Sequence, residues 1–280
     1  MLTLLLMIAA AGQAPAPAAQ NPSPMVEHTR RHDRVIQSQP PGRFVKLSIG
    51  SLFISAGAEH RKSTPLIIHF HGPDWLANTA AVKWNKRVCV ITVQLGAGSG
   101  VYSRAFANPA VFSQLLKEAA DASRLDLKPL VISSFSAGYG AVREILKNRD
   151  NWPRIDGIIL EDSLHTSYVP EGRPGPLDTA TLQPFVDFAR EAAAGRKRML
   201  VTHSEIFPGT FASTTETTGY IVEQLGLVRR PVLRWGPVGM QQTSDVRMGR
   251  FRLMGFAGNT APDHMDHLHG LAAWLRILSR

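Results

Sequence analysis

The chain has a single cysteine, Cys89, among 280 residues. That excludes an internal disulfide, and the apolar run around it, RVCVITV, marks Cys89 as a buried, inert thiol. Acidic residues are also scarce, 22 against 31 Lys and Arg, for a net charge of +9. Such an excess suits an acidic partner. However, the basic residues fall in scattered groups (Arg30-Arg31, Arg196-Lys197-Arg198, Arg229-Arg230) without interleaved aromatics or a nucleic-acid module. The reading is a solvated basic surface with no nucleic-acid partner. The opening apolar run, MLTLLLMIAAAG, is too short to span a bilayer. There is no H-E-x-x-H. The glycine-rich GAGSG at 96–100 has neither the lysine of a P-loop nor the spacing of a dinucleotide fingerprint, so no phosphate cradle and no cofactor is expected. No internal repeat is present.

What remains is ample for one folded unit. With 44% hydrophobic and 19% charged residues, the chain can bury a full core in a single domain at 25–280. Residues 1–24 read as a secretory signal peptide followed by an Ala/Pro-rich leader. Small residues at Gly12 and Ala14 suit cleavage, and the α-amino group is the positive charge ahead of the apolar run. Export to the periplasm or beyond, without stable membrane insertion after cleavage, is the corresponding expectation.

Along the chain, apolar β-prone runs alternate with helical spacing. RFVKLSIGSLFIS suits an edge hairpin, PLIIHF, VCVITVQL, LVISS, IDGIIL and RMLVT read as buried strands, and FRLMGF is the last strand. NPAVFSQLLKEAADAS is a helix with Asn108 as N-cap and Pro109 at its first position. The C-terminal APDHMDHLHGLAAWLRILSR is an amphipathic helix entered through a capping box, Thr260-x-x-Asp263. This alternation predicts an α/β fold, a doubly wound and mostly parallel sheet, with reactive loops at the strand carboxyl ends. The Pro/Gly-rich and then helical segment 166–197 is a candidate cap over it. Within it Phe185 and Phe188, with Trp75 and Tyr139 elsewhere, are candidates for a pocket wall.

The most informative stretch is LVISSFSAGYGAV at 130–142: strand, sharp turn, helix. Ser134-Phe135-Ser136-Ala137-Gly138 matches the nucleophile elbow G-x-S-x-G with serine in the first glycine position. Small residues are needed two before and two after the nucleophile because strand and helix pass closely there. The helix that follows directs free N–H groups and a positive dipole end at the charge that develops on an attacked carbonyl.

Three features in this order resemble the α/β-hydrolase superfamily over roughly 43–280: His71-Gly72 after an early strand, the elbow around Ser136, and histidines after the last strand. The resemblance implies a triad in the order Ser, acid, His. Ser136 is then the nucleophile. The base comes from the C-terminal histidines: His264, nearest the loop after the last strand, is preferred, with His267 on the same helical face as the alternate. The acid is Asp162, with Glu205 one strand later as the alternate. Ala137 should supply one oxyanion N–H. The position that usually supplies the second is Pro73, which has none, so Gly72 or Asp74 must substitute.

The function implied is an exported serine hydrolase that cleaves a carboxylic ester or related acyl bond of a small-molecule substrate through an acyl-enzyme. Two other readings stand beside it. One is a metal-dependent hydrolase, from His69-x-His71 and the Asp/His-rich C-terminal run. The other is a non-catalytic binding protein on the hydrolase fold, from Pro73 and the missing elbow glycine.

Overall fold

The computed structural model describes residues 32–58 and 63–280; the leader read at 1–24 lies outside them. The first strands are β1 (Gly42–Lys46), β2 (Ser51–Ser55) and β3 (Ser63–Phe70). Helix α1 (Asp74–Trp84), β4 (Cys89–Val93), α2 (Ser99–Phe106) and α3 (Pro109–Ser123) follow. Then come β5 (Asp126–Phe135), α4 (Tyr139–Lys147), β6 (Gly157–Glu161), α5 (Gln183–Ala193), β7 (Arg198–His203) and α6 (Thr214–Gln224). The chain closes with β8 (Arg230–Trp235), β9 (Gln241–Met248), β10 (Phe251–Phe256), α7 (Ala261–His269) and α8 (Leu271–Leu278).

The described residues form one ten-stranded sheet in the order β1-β2-β4-β3-β5-β6-β7-β10-β9-β8. The six strands β4, β3, β5, β6, β7 and β10 pair in parallel, with antiparallel pairs at both margins. Strands buried on both faces read as continuous apolar runs, which is why PLIIHF, CVITV and GIILE were legible. Period-2 alternation divides their side chains between two cores. Leu66, Ile68, Ile132, Ile158 and Val201 meet helices α2 to α6 on one face. Ile67, Val131, Ile159 and Leu200 meet α1 and α8 on the other. Trp274, Phe185 and Phe188 are fully buried, and each such side chain contributes about 2–3 kcal/mol of transfer free energy.

Three sequence expectations are refined. The helical half of the candidate cap, α5, is not a lid: it packs on the sheet with Phe185, Val186 and Phe188 in the core. Phe185 and Phe188 therefore form no pocket wall. The C-terminal helix is two helices, broken at Gly270, where a Cβ would lie 2.6 Å from the Trp274 ring. Strand β9 went unread because its polar sequence, QQTSDVRM, shows no apolar run.

The parallel strands deliver their carboxyl ends to one edge. His71 follows β3, Ser136 follows β5, Asp162 follows β6 and Ser204 follows β7. The loop after β10 leads into α7, which carries His264 and His267.

Candidate active site

Strand β5 stays buried to its end at Phe135, and Ser136 turns the chain with φ +47°. A single 3-10 turn, Ser136–Gly138, then feeds α4. A left-handed serine costs of order 1–3 kcal/mol and persists only where its surroundings fix it. Gly138 shows why the turn is so tight: a Cβ there would stand 2.4 Å from the Phe70 carbonyl oxygen. Ser134, in the other small position, is fully buried with its hydroxyl hydrogen-bonded to Ser163 at 2.8 Å. The first turn of α4 has no side-chain cap, and its Tyr139 N–H is taken by the Ala137 carbonyl within the 3-10 turn.

Asp162 is also left-handed, with φ +45°. Its buried carboxylate accepts from four donors. Oδ1 takes the Ser204 backbone N–H at 2.9 Å and the Thr214 hydroxyl at 2.6 Å. Oδ2 takes the Ser204 hydroxyl at 2.6 Å and His264 Nδ1 at 2.7 Å. Burial alone would raise this carboxyl. The charge of His267, the hydrogen bond and charge of His264 and the hydrogen bond of Ser204 outweigh it and hold the group well below the usual carboxylate range. Burial pushes His267 down to about 4, so near neutral pH it is uncharged and the hydrogen bonds sustain the Asp162 carboxylate.

The carboxylate can only accept, so His264 carries a proton on Nδ1, and in the neutral imidazole Nε2 is the lone-pair nitrogen. Its ring packs on Phe135, centroids 4.4 Å apart. Ser136, Asp162 and His264 line one cavity of about 460 Å³, walled also by Ile206, Phe211 and Pro262. A second recess of about 400 Å³ adjoins it at Ser136, His165 and Phe211, bordered by Ala137, Ser99, Tyr139 and Ser167. Among the described residues no hydrogen bond links Ser136 Oγ to His264; such bonds commonly tighten once substrate is seated.

The alternates sit elsewhere. His267 Nδ1 bonds the Thr202 hydroxyl at 2.8 Å and its ring meets Phe256 edge-on, behind the cavity. Glu205 is exposed, desolvation raises its carboxyl, and its N–H donates to the Gly258 carbonyl. Neither alternate acid nor alternate base joins the Asp162–His264 pair. Helix α7 turns His264 towards the strand ends and His267 into the core, a difference their i, i+3 spacing did not reveal.

The loop after β3 is occupied by its own bonds. His71 N–H donates to the Val93 carbonyl and Gly72 N–H to Gln94 Oε1 at 2.7 Å. Gly72 is therefore not an available oxyanion donor, because its N–H is committed to Gln94. Pro73 has no N–H, and the first unbonded amide of this loop among the described residues is that of Asp74, at the start of α1.

The two histidines of His69-x-His71 do not share a face. Strand β3 ends at Phe70, and His71 turns away with φ +69°. His71 Nδ1 lies 2.9 Å from the Tyr102 hydroxyl. His69 is buried, with Nδ1 2.9 Å from Ser133 Oγ, which donates to Glu161 Oε1 at 2.5 Å. Burial pushes His69 down to about 3 and raises Glu161 well above the usual carboxylate range. Among the described residues no group of His, Cys, Asp and Glu converges as metal ligands. Cys89 is buried in β4, where burial pushes its thiol up to about 12.

A mostly parallel sheet with crossovers on both faces, a left-handed serine between the central strand and its helix, and an acid and a histidine arriving later in chain order define the architecture. The fold is that of the α/β-hydrolases. No family model matches the chain, and no curated protein matches it by sequence. Among solved structures it is similar to Est1E from Butyrivibrio proteoclasticus, at 11% identity and TM-score 0.45 over 86% of this chain and 100% of that one. It is also similar to a thermophilic esterase, Est2, from the Planctomycetes species Thermogutta terrifontis, at 15% identity and TM-score 0.49 over 86% and 94%. A hyperthermophilic esterase from the archaeon Pyrobaculum calidifontis matches at 14% identity and TM-score 0.48 over 86% and 87%. These likenesses are loose; the α/β-hydrolase fold here is defined by its own strand order and elbow.

Sequence reasoning missed Ser204 and Thr214, which supply three of the four donors to Asp162, and His165, which borders both recesses. Ser204 could have been noticed as the hydroxyl two residues after RMLVT, at a strand carboxyl end. Nothing in the sequence marks Thr214, which reaches Asp162 across 52 positions.

Proposed function

We propose that this chain is a serine hydrolase acting on small-molecule carboxylic esters or related acyl bonds through Ser136, His264 and Asp162. The observation that carries the reading is the His264–Asp162 pair, Nδ1 to Oδ2 at 2.7 Å, at the cavity that also holds the left-handed Ser136. With Nδ1–H fixed on Asp162, His264 Nε2 takes the proton as Ser136 Oγ bonds the substrate's carbonyl carbon. The resulting oxyanion is held by Ala137 N–H and the positive end of α4, with Asp74 N–H as the second donor. On collapse, the bond to the leaving oxygen breaks, His264 returns its proton to that oxygen, and the acyl group stays esterified on Ser136. Water, deprotonated by the same imidazole, then releases the acid. The leader at 1–24 is proposed to direct export.

A fluorophosphonate probe tests this. Wild type should label and turn over a short-chain nitrophenyl ester, and Ser136→Ala should do neither; equal labelling of the two proteins would refute the assignment.

One observation favours the second reading, a binding protein on the hydrolase fold: the loop after β3 has Gly72 N–H bonded to Gln94 and a proline next. A hole built on Ala137 alone would cost about a hundredfold to a thousandfold in rate. Absence of any Ser136-dependent ester turnover would support that reading.

A further inference from the structure

The serine that replaces the first elbow glycine is joined to a short chain of hydroxyls with one possible polarity. Ser163 Oγ lies 2.7 Å from the Ser136 carbonyl oxygen, which can only accept, so the Ser163 proton is committed there. The 2.8 Å contact between Ser134 Oγ and Ser163 Oγ must then run from Ser134 as donor. Ser134 and Ser163 are both fully buried, so no solvent competes for these bonds. The relay begins two residues before the nucleophile and ends on the nucleophile's own carbonyl. Its middle member directly follows Asp162. It therefore ties together two of the left-handed residues at this edge, Ser136 at φ +47° and Asp162 at φ +45°.

We infer that Ser134 and Ser163 are positioning residues. Their relay holds the strained elbow and sets the nucleophile in register with the acid turn, a task that a glycine at position 134 would leave undone. The inference rests on the serine-hydrolase reading. A carbonyl freed from Ser163 lets the Ser136 peptide rock, which displaces Oγ from its line of attack while leaving both recesses intact. The consequence is a loss in the chemical step and not in substrate binding.

The test uses the full chain, with nitrophenyl acetate and a fluorophosphonate probe, on Ser163→Ala, Ser134→Gly and the double variant. Ser163→Ala should lower kcat and the labelling rate together by about tenfold to a hundredfold with KM within about twofold. Ser134→Gly, which restores the glycine pattern, should slow both by about threefold or more, and the double variant should be no slower than Ser163→Ala, as members of one chain are non-additive. If Ser163→Ala does not fold, Ser134→Gly decides alone. Labelling within twofold of wild type in Ser163→Ala, a rise in KM without a fall in kcat, or multiplicative single effects in the double variant overturns the inference. Wild type that fails to label at Ser136 overturns the hydrolase reading and the inference with it. Labelled wild type with unaffected variants overturns the relay alone.

Discussion

Replacing Asp162 with asparagine separates electrostatics from shape at the centre of the site. Four donors converge on the two carboxylate oxygens, and one of them, the Ser204 backbone N–H at 2.9 Å from Oδ1, cannot turn round. The asparagine oxygen must therefore occupy the Oδ1 position, where Thr214 also donates. That places the NH2 where Oδ2 stood, facing the Ser204 hydroxyl and His264 Nδ1. The hydroxyl can rotate to accept. The imidazole can accept only by moving its proton to Nε2, so His264 then points an N–H at Ser136 and cannot take its proton. Only the Ser204 hydroxyl proton gives up its acceptor, so the fold should hold, with stability lowered by no more than about 1–3 kcal/mol in urea denaturation. Activity should not: kcat near neutral pH is expected to fall about ten-thousandfold, equivalent to about 5 kcal/mol of transition-state stabilisation. Asp162→Ala is the contrast, because it strands Ser204 N–H and other buried donors at about 1–3 kcal/mol each and loses stability as well as rate. Nitrophenyl ester kinetics and imidazole 15N shifts measure the two halves of the argument. An Asp162→Asn enzyme within tenfold of wild type, or one retaining the Nδ1–H tautomer, would refute it.

Glu161 is buried with one oxygen accepting from Ser133 and the other without a partner among the described residues, and burial raises its carboxyl. A raised acid stabilises the fold below its unfolded value near 4.5 and loses that contribution as pH rises through the folded value, so Glu161→Gln should gain on wild type in urea midpoints between pH 5 and 8; parallel curves would count against it. His69, His203 and His267 are held neutral by burial, pushed down to about 3, 4 and 4. Their contribution is complete above about 6.5 and is lost as pH falls towards the folded values, at roughly 1 kcal/mol per pH unit for each, so denaturation at pH 7.5, 6 and 5 should show a steep decline, and a flat profile would contradict it. Arg34 bonds the fully buried Asp266 and the Pro262 carbonyl, both at 2.8 Å, fastening residues ahead of β1 to the helix that carries His264. Arg34→Ala should cost about 2 kcal/mol in chemical denaturation, and an unchanged midpoint would show that this fastening contributes nothing.

The sequence by itself determined the elements that rest on local rules. Continuous apolar runs announced the central strands because both faces of a parallel sheet are covered. Asn108-Pro109 and Thr260-x-x-Asp263 announced helix starts because backbone N–H groups there need partners nearby, and both caps form. The sharp turn at Ser136 was legible for the same kind of reason, since the spacing of small residues there is a local steric demand.

Only the tertiary structure decided between the candidates that share a local pattern. His264 and His267 are equivalent by spacing, and the orientation of α7 against the strand ends separates them. Asp162 and Glu205 both follow a strand, yet only Asp162 collects donors from the residue after β7, from α6 and from α7. Pro73 removes one amide in the sequence, but the loss of Gly72 N–H to Gln94 appears only when β3 and β4 lie side by side. Ser134 reads as a defect in a motif until Ser163, 29 positions away, is seen to continue its hydrogen bond. Burial, tautomer and hydrogen-bond polarity depend on which distant groups share a space, and no short-range pattern in the chain encodes that.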